Sequence, residues 1–113
     1  MKKVILESPY AGCIKKNIEY ARLCVKDCLM RGEAPFASHL LYTQSGILND
    51  EEPEERELGI SAGFEWAEVA DYTVVYCDFG ISSGMDKGVQ NALKSGKEVQ
   101  YRYLFREINN QGL

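Results

Sequence analysis

The segment Tyr72-Thr73-Val74-Val75-Tyr76-Cys77 constrains this chain more than any other. An unbroken run of β-branched, aromatic and apolar residues forms a strand. Apolar side chains on both faces require cover on both faces, which is the situation of a central strand in a parallel sheet. A second apolar run, Val4-Ile5-Leu6, stops at the turn-forming cluster Ser8-Pro9-Tyr10-Ala11-Gly12 and is expected to be another buried strand.

Helical periodicity locates the covering layers. Between Cys13 and Arg31, residues Ile14, Ile18, Ala21, Val25, Cys28 and Leu29 fall on one stripe, and Gly32 stands where the helix should end. Ala34–Ala37 reads as a short strand with Pro35 near its start. The stretch from Ser38 to Pro53 lacks periodicity and is expected to be a long loop, a class of segment often given to function. Pro53 and the glutamates after it suit the first turn of a helix. Leu58, Ala62, Trp66, Val69 and Ala70 form one stripe of that helix, and Ile60, Phe64 and Ala67 form another. Two apolar faces have two things to cover: the sheet and something else, either a loop of the same chain or, the expected case, a second copy of the chain in a homo-oligomer built through Ile60, Phe64 and Trp66. Ser82-Ser83-Gly84 opens a last helix bearing Met85, Val89, Ala92 and Leu93, which Gly96 stops; Glu98–Leu104 then alternates as an edge strand.

The order β-α-β-α-β-α-β predicts an α/β chain, a single three-layer flavodoxin-like domain over residues 1–113 with strand order 2-1-3-4. Ligands of such sheets bind beyond the carboxyl ends of the strands. The segments expected to meet there are Ser8–Gly12, His39–Asn49 and Asp78–Asp86.

Charge narrows the ligand. Thirteen basic against seventeen acidic residues, net −4, disfavour binding of a nucleic acid polymer. A single phosphorylated molecule is still compatible, because a helix N-terminus binds anions locally. Gly80-Ile81-Ser82-Ser83-Gly84-Met85 is the best such position, although a serine there also serves as an ordinary helix cap. No phosphate-binding G-x-x-x-x-G-K-[ST] pattern occurs. Four cysteines without a C-x-x-C pair and one histidine, His39, predict no metal site and buried free thiols. No cofactor is implied. No apolar run is long enough for a bilayer, and Met1-Lys2-Lys3 leads into too short an apolar stretch for a signal peptide, so a cytoplasmic protein without membrane partners is expected.

The combination of S-P-Y-A-G after the first strand, an N-x-x-x-A helix, E-E-R-E-L-G in the second long helix and S-S-G-M before the last one resembles the nucleoside 2-deoxyribosyltransferase-like superfamily. It is closest to a small branch of that superfamily found in phages and bacteria. The similarity runs from about Val4 to Tyr103. It implies a small oligomeric flavodoxin-like domain acting on nucleosides or nucleotides. It places Ser8, Pro9 and Tyr10 at base and sugar, Ser82, Ser83 and Gly84, with Met85, at the 5′ end of the ligand, and Arg56 as an anion partner. His39 and Asp78 are further candidates at the crevice.

One departure stands out. The glutamate that the superfamily uses at the anomeric carbon, four residues after the turn glycine, is Gly88 here. The catalytic residue is therefore unassigned. The leading expectation is a domain that senses or sequesters a nucleotide or nucleotide-derived signal without turnover, for instance as a phage anti-defence sponge. The first alternative is an active N-glycosidase or deoxyribosyltransferase with a relocated acid, Glu7, Glu55 or Asp78. The second is a protein-interaction module built on the helix after Pro53. Gly88→Glu is expected to keep the fold, since glutamate is the better helix former.

Overall fold

A computed structural model describes residues 1–105 of the chain. Four parallel strands, β1 (Lys2–Glu7), β2 (Glu33–Phe36), β3 (Tyr72–Tyr76) and β4 (Glu98–Arg102), form one sheet in the order β2-β1-β3-β4. The fold is the expected α/β flavodoxin-like arrangement with order 2-1-3-4. In β1, Val4 faces Pro35 of β2 on one side and Tyr72 of β3 on the other. β3 continues the ladder to β4, with Tyr76 opposite Arg102.

Side-chain alternation divides the two central strands between two helical layers. Val4, Leu6, Val74 and Tyr76 point to one face, where Tyr20, Cys24 and Cys28 of α1 (Ile14–Met30) close over them. Residues of the opposite parity face α3 (Pro53–Val69) and α4 (Ser83–Lys94): Ile5 and Thr73 border the pocket that α3 covers, and Val75 packs against Met85 and Val89 of α4. Glu7 shares the parity of Ile5, so its carboxylate is directed beneath α4 and not towards α1.

Two expectations need correction. The stretch after β2 is not wholly loop, because Ser38–Leu41 forms the short helix α2. Four residues are too few to leave a periodic signal, and the turn is held by tertiary contact. A Cβ on Gly63 of α3 would lie 2.9 Å from Ser38 Oγ, so the two helices meet at a glycine. Of the four thiols, Cys24, Cys28 and Cys77 are buried, but Cys13 is exposed at the start of α1.

Candidate functional site

The pocket lies beyond the carboxyl ends of β1 and β2, with α3 and the N-terminal half of α4 as its roof. Glu7, Ser8 and Tyr10 supply one wall from the end of β1 and its loop. Phe36, His39, Tyr42 and Thr43 supply another from β2 and α2. Arg56, Ile60, Gly63 and Phe64 of α3 face Ser82, Gly84, Met85 and Gly88 of α4 across it. Asn17 fixes the first wall: its Nδ2 donates to the carbonyls of Tyr10 (2.9 Å) and Ala11 (3.0 Å), tying the Ser8–Gly12 loop to α1.

At the floor, Glu7 and Gly88 are in contact. A Cβ placed on Gly88 would lie 2.5 Å from Glu7 Cδ, 3.0 Å from Oε1 and closer still to Oε2. The carboxylate of Glu7 therefore fills the volume in which a side chain at position 88 would begin. Gly88 belongs to the sheet-facing stripe of α4 with Met85, Val89 and Ala92, and its lack of a side chain admits an acid rising from the strand below. The expected Gly88→Glu substitution does not fit this geometry, because the new side chain has no room beside Glu7.

No described residue gives the Glu7 carboxylate a hydrogen bond or a counter-charge, and burial alone pushes its pKa from 4.5 up to about 8. An unpaired acid beneath a pocket is costly for folding, and groups perturbed in this way concentrate at functional sites.

His39 stands on the adjacent wall with its Nε2 2.6 Å from Ser8 Oγ. Burial lowers its pKa to about 4, so the imidazole is neutral at pH 7 and offers the pocket one donor or acceptor without charge. Phe36, Tyr42 and Phe64 contribute aromatic surface suited to a planar ring. Trp66 lies behind this wall, donating from Nε1 to Tyr42 Oη at 3.0 Å.

Ser8, Tyr10, His39, Arg56, Ser82, Gly84 and Met85 all border this one pocket. Three residues anticipated at the site do not. Pro9 is buried beside the pocket without lining it. Ser83 is exposed and turned away from it. Asp78 is committed elsewhere: its carboxylate accepts from Tyr20 Oη (2.5 Å) and from the amides of Leu104 (2.8 Å) and Phe105 (3.0 Å). Burial would raise its pKa, but these hydrogen bonds outweigh it and hold the carboxyl below its ordinary value. Asp78 thus closes the end of the sheet and does not line the pocket. Ser82 caps α4, accepting from the Met85 amide at 3.2 Å, while its hydroxyl proton stays available to the pocket. Glu55 borders the pocket, with Oε1 accepting from the Asn49 amide at 3.1 Å.

The second long helix is α3, and of the residues expected at a subunit interface Ile60 and Phe64 border the pocket, while Trp66 stays on the surface. Ile60, Phe64 and Ala67 turn to the pocket, whereas Leu58, Trp66 and Val69 remain 59%, 51% and 64% exposed. Among the described residues no group of three or more His, Cys, Asp or Glu side chains converges as metal ligands. No helix among them is long and apolar enough to cross a membrane.

Two solved structures share this architecture. A 2-deoxyribosyltransferase from Bacillus psychrosaccharolyticus superposes with a TM-score of 0.62 at 20% identity, over 89% of this chain and 72% of its own. A CMP N-glycosidase of Clostridium botulinum superposes with a TM-score of 0.55 at 14% identity, over 90% of this chain and 71% of its own. At these identities the likeness establishes a nucleoside deoxyribosyltransferase-like fold, and a fold alone does not carry an activity. No curated protein sequence matches the chain. A family model described as "Domain of unknown function (DUF7768)" matches residues 2–102.

Proposed function

Since the chain belongs to the DUF7768 family, we propose from its pocket that it binds a nucleoside-containing small molecule and cleaves the N-glycosidic bond, with Glu7 as the acting carboxylate. The observation that carries this reading is the contact between Glu7 and Gly88. Sequence similarity implies a helix glutamate at position 88, and the carboxylate found in that space comes instead from the strand below. The aromatic wall of Phe36, Tyr42 and Phe64 takes the base, with neutral His39 at its edge. Ser82 and the first turn of α4 take the 5′ end of the sugar.

The base departs with the electron pair of the glycosidic bond and takes a proton from water, leaving positive charge on the anomeric carbon; an anionic carboxylate beneath it stabilises that charge or adds to it, and attack of water on that carbon completes the hydrolysis and frees the carboxylate. Glu7 therefore acts in its ionised form. With a pKa of about 8, roughly a tenth of the protein is competent at pH 7. Base release from the four canonical deoxynucleosides and their 5′-monophosphates, followed by chromatography, is expected to rise about tenfold per pH unit below pH 8 and to level off above it. A rate that is flat across this range, or that falls above pH 8, would remove Glu7 from the role.

A second reading is favoured by the same carboxyl group. At neutral pH it is mostly protonated, and a neutral acid is a hydrogen-bond donor to a ligand, not a nucleophile. A protein that used Glu7 only in this way would hold a nucleotide-derived signal without turnover, as a sensor or as a sink in phage anti-defence. Ligand-induced thermal stabilisation with no base released at any pH between 6 and 9.5 is its signature.

The exposed stripe Leu58-Trp66-Val69 supports self-association through α3. Light scattering at micromolar concentration is expected to give at least twice the chain mass of 12.8 kDa, and Trp66→Glu is expected to return it to a monomer. Wild-type protein of single-chain mass would exclude this interface.

A further inference from the structure

The two helical layers carry opposite charge on their outer faces. Helix α1 holds Lys15, Lys16, Arg22 and Lys26 against Glu19 and Asp27, and Asp27 is already engaged by Arg31 and Tyr76. Helix α3 holds its glutamates against Arg56 alone, and Arg56 borders the pocket instead of the outer face. At helical spacing Lys15, Arg22 and Lys26 share one exposed ridge of α1, and Glu54, Glu65 and Glu68 share one exposed ridge of α3. Among the described residues no hydrogen bond or ion pair engages any of these six side chains. Each ridge is therefore a row of uncompensated charge of one sign.

The two ridges match in length and register. Lys15 and Lys26 are separated along their helix by the same number of residues as Glu54 and Glu65, a span of about 16 Å in each case. Let α1 and α3 of two copies meet antiparallel, with Lys26 opposite Glu54 and Lys15 opposite Glu65. Glu19, the one acid in the middle of the basic face, then falls opposite Ser61 and meets no other acid. Arg22 and Leu23 fall opposite Glu57 and Leu58, and the two leucines, 49% and 59% exposed, cover each other. A two-fold contact of α3 with α3 lacks this match, because it sets glutamates of one copy against glutamates of the other, and like charges placed opposite each other are costly. The two helices also lie on opposite faces of the sheet, so one chain cannot satisfy both ridges itself.

We propose that copies of this chain associate head to tail, the acidic outer face of α3 seated on the basic outer face of α1 of the next copy. This inference rests on the reading of α3 as an association surface and adds what covers it. A pair formed in this way leaves α1 free at one end and α3 free at the other, so further copies add to it. Its charges are exposed, so salt screens the contact.

The test is a charge swap read by sedimentation equilibrium. At about 50 mM salt the average mass of the wild-type chain is expected to climb past two copies with rising concentration, and at about 500 mM salt to fall towards one. Lys15→Glu with Lys26→Glu should give single-chain mass, and so should Glu54→Lys with Glu65→Lys. All four positions are exposed, and lysine and glutamate are comparable helix formers, so circular dichroism should match the wild type in both proteins. The chain carrying all four changes exchanges the two ridges and should assemble again, as should an equimolar mixture of the two double variants. Assembly of Lys15→Glu with Lys26→Glu at the wild-type mass would overturn the contact with α1 and leave association through α3 in place. A folded four-fold variant that stays at single-chain mass would overturn the proposal as well. Wild-type protein of single-chain mass at every concentration in low salt would overturn both the head-to-tail contact and the α3 interface.

Discussion

Glu7→Gln should stop base release, lowering its rate on the order of 10³-fold or more, while making the protein more stable. The two halves have one cause. A carboxyl group whose pKa is 4.5 when unfolded and about 8 when folded binds its proton more tightly in the folded state. Below about pH 4.5 it is neutral in both states and costs nothing. As pH rises towards 8 the unfolded chain ionises while the folded one resists, and folding becomes less favourable. The opposition reaches on the order of 3 kcal/mol at pH 7. Glutamine has nearly the same shape and no proton to lose, so the stability gain of Glu7→Gln should be small at pH 5 and largest near pH 8.5. Urea denaturation at the two pH values measures it. A variant that still releases base, or whose stability difference ignores pH, would return Glu7 to a passive place in the floor.

Position 88 supplies the complementary control. Gly88→Glu alone sets a second carboxylate into the volume that Glu7 occupies, and two acids in one poorly solvated space repel and clash. Glu7→Ala combined with Gly88→Glu vacates that volume and moves the acid from strand to helix. The double variant should fold better than Gly88→Glu and recover part of the lost base release. Recovery will be partial, because a grafted group works only when its orientation is held within about half an ångström.

The frame of this fold was legible because each signal was local. The two-faced apolar run of β3 required layers on both sides, and the stripe from Ile14 to Leu29 supplied one of them. What the sequence concealed depends on contacts distant along the chain. The helix α2 is a single turn held against Gly63, and no periodicity can announce four residues. Asp78 sits at a strand end, where ligand-binding carboxylates also sit; only its bonds to Tyr20, Leu104 and Phe105 reveal that it serves the fold. The stripes of α3 were both visible, but which one covers a pocket depends on how the helix is rotated, and the small residues Gly59 and Gly63 set that by close approach. The pairing of Glu7 with Gly88 was within reach. An acid at the core-facing parity of Ile5, and a glycine on the core-facing stripe of α4, are each anomalous alone and complementary together.

The buried pair Arg102–Glu33 should be the most sensitive point of the scaffold. It links the two outer strands, β4 and β2, across the α1 face of the sheet, and both residues are buried. Every polar group around it is used. Tyr72 Oη donates to Glu33, Arg102 Nη1 also reaches Tyr76 Oη at 3.2 Å, and Tyr76 Oη donates to Asp27 at 2.6 Å. Arg102→Met would leave the Glu33 carboxylate in a dry site without its cation, a change that costs about 3–5 kcal/mol. Glu33→Leu with Arg102→Met should be milder than the single change, because no charge is then stranded. The pair also gives the acid limb of stability. The bidentate Arg102, helped by Tyr72 and opposed by burial, holds the Glu33 carboxyl at about 2, below its ordinary 4.5. A lowered carboxylate pKa contributes stability that is complete above about pH 4.5 and is lost as pH falls towards 2. Wild-type protein should therefore lose on the order of 3 kcal/mol across that window from this group, and the double variant should lack that loss. Urea midpoints at pH 7 and pH 3 for the wild type, Arg102→Met and the double variant decide the matter. A single variant within about 1 kcal/mol of wild type at pH 7 would show that solvent reaches the pair and that the two outer strands are held by their ladders alone.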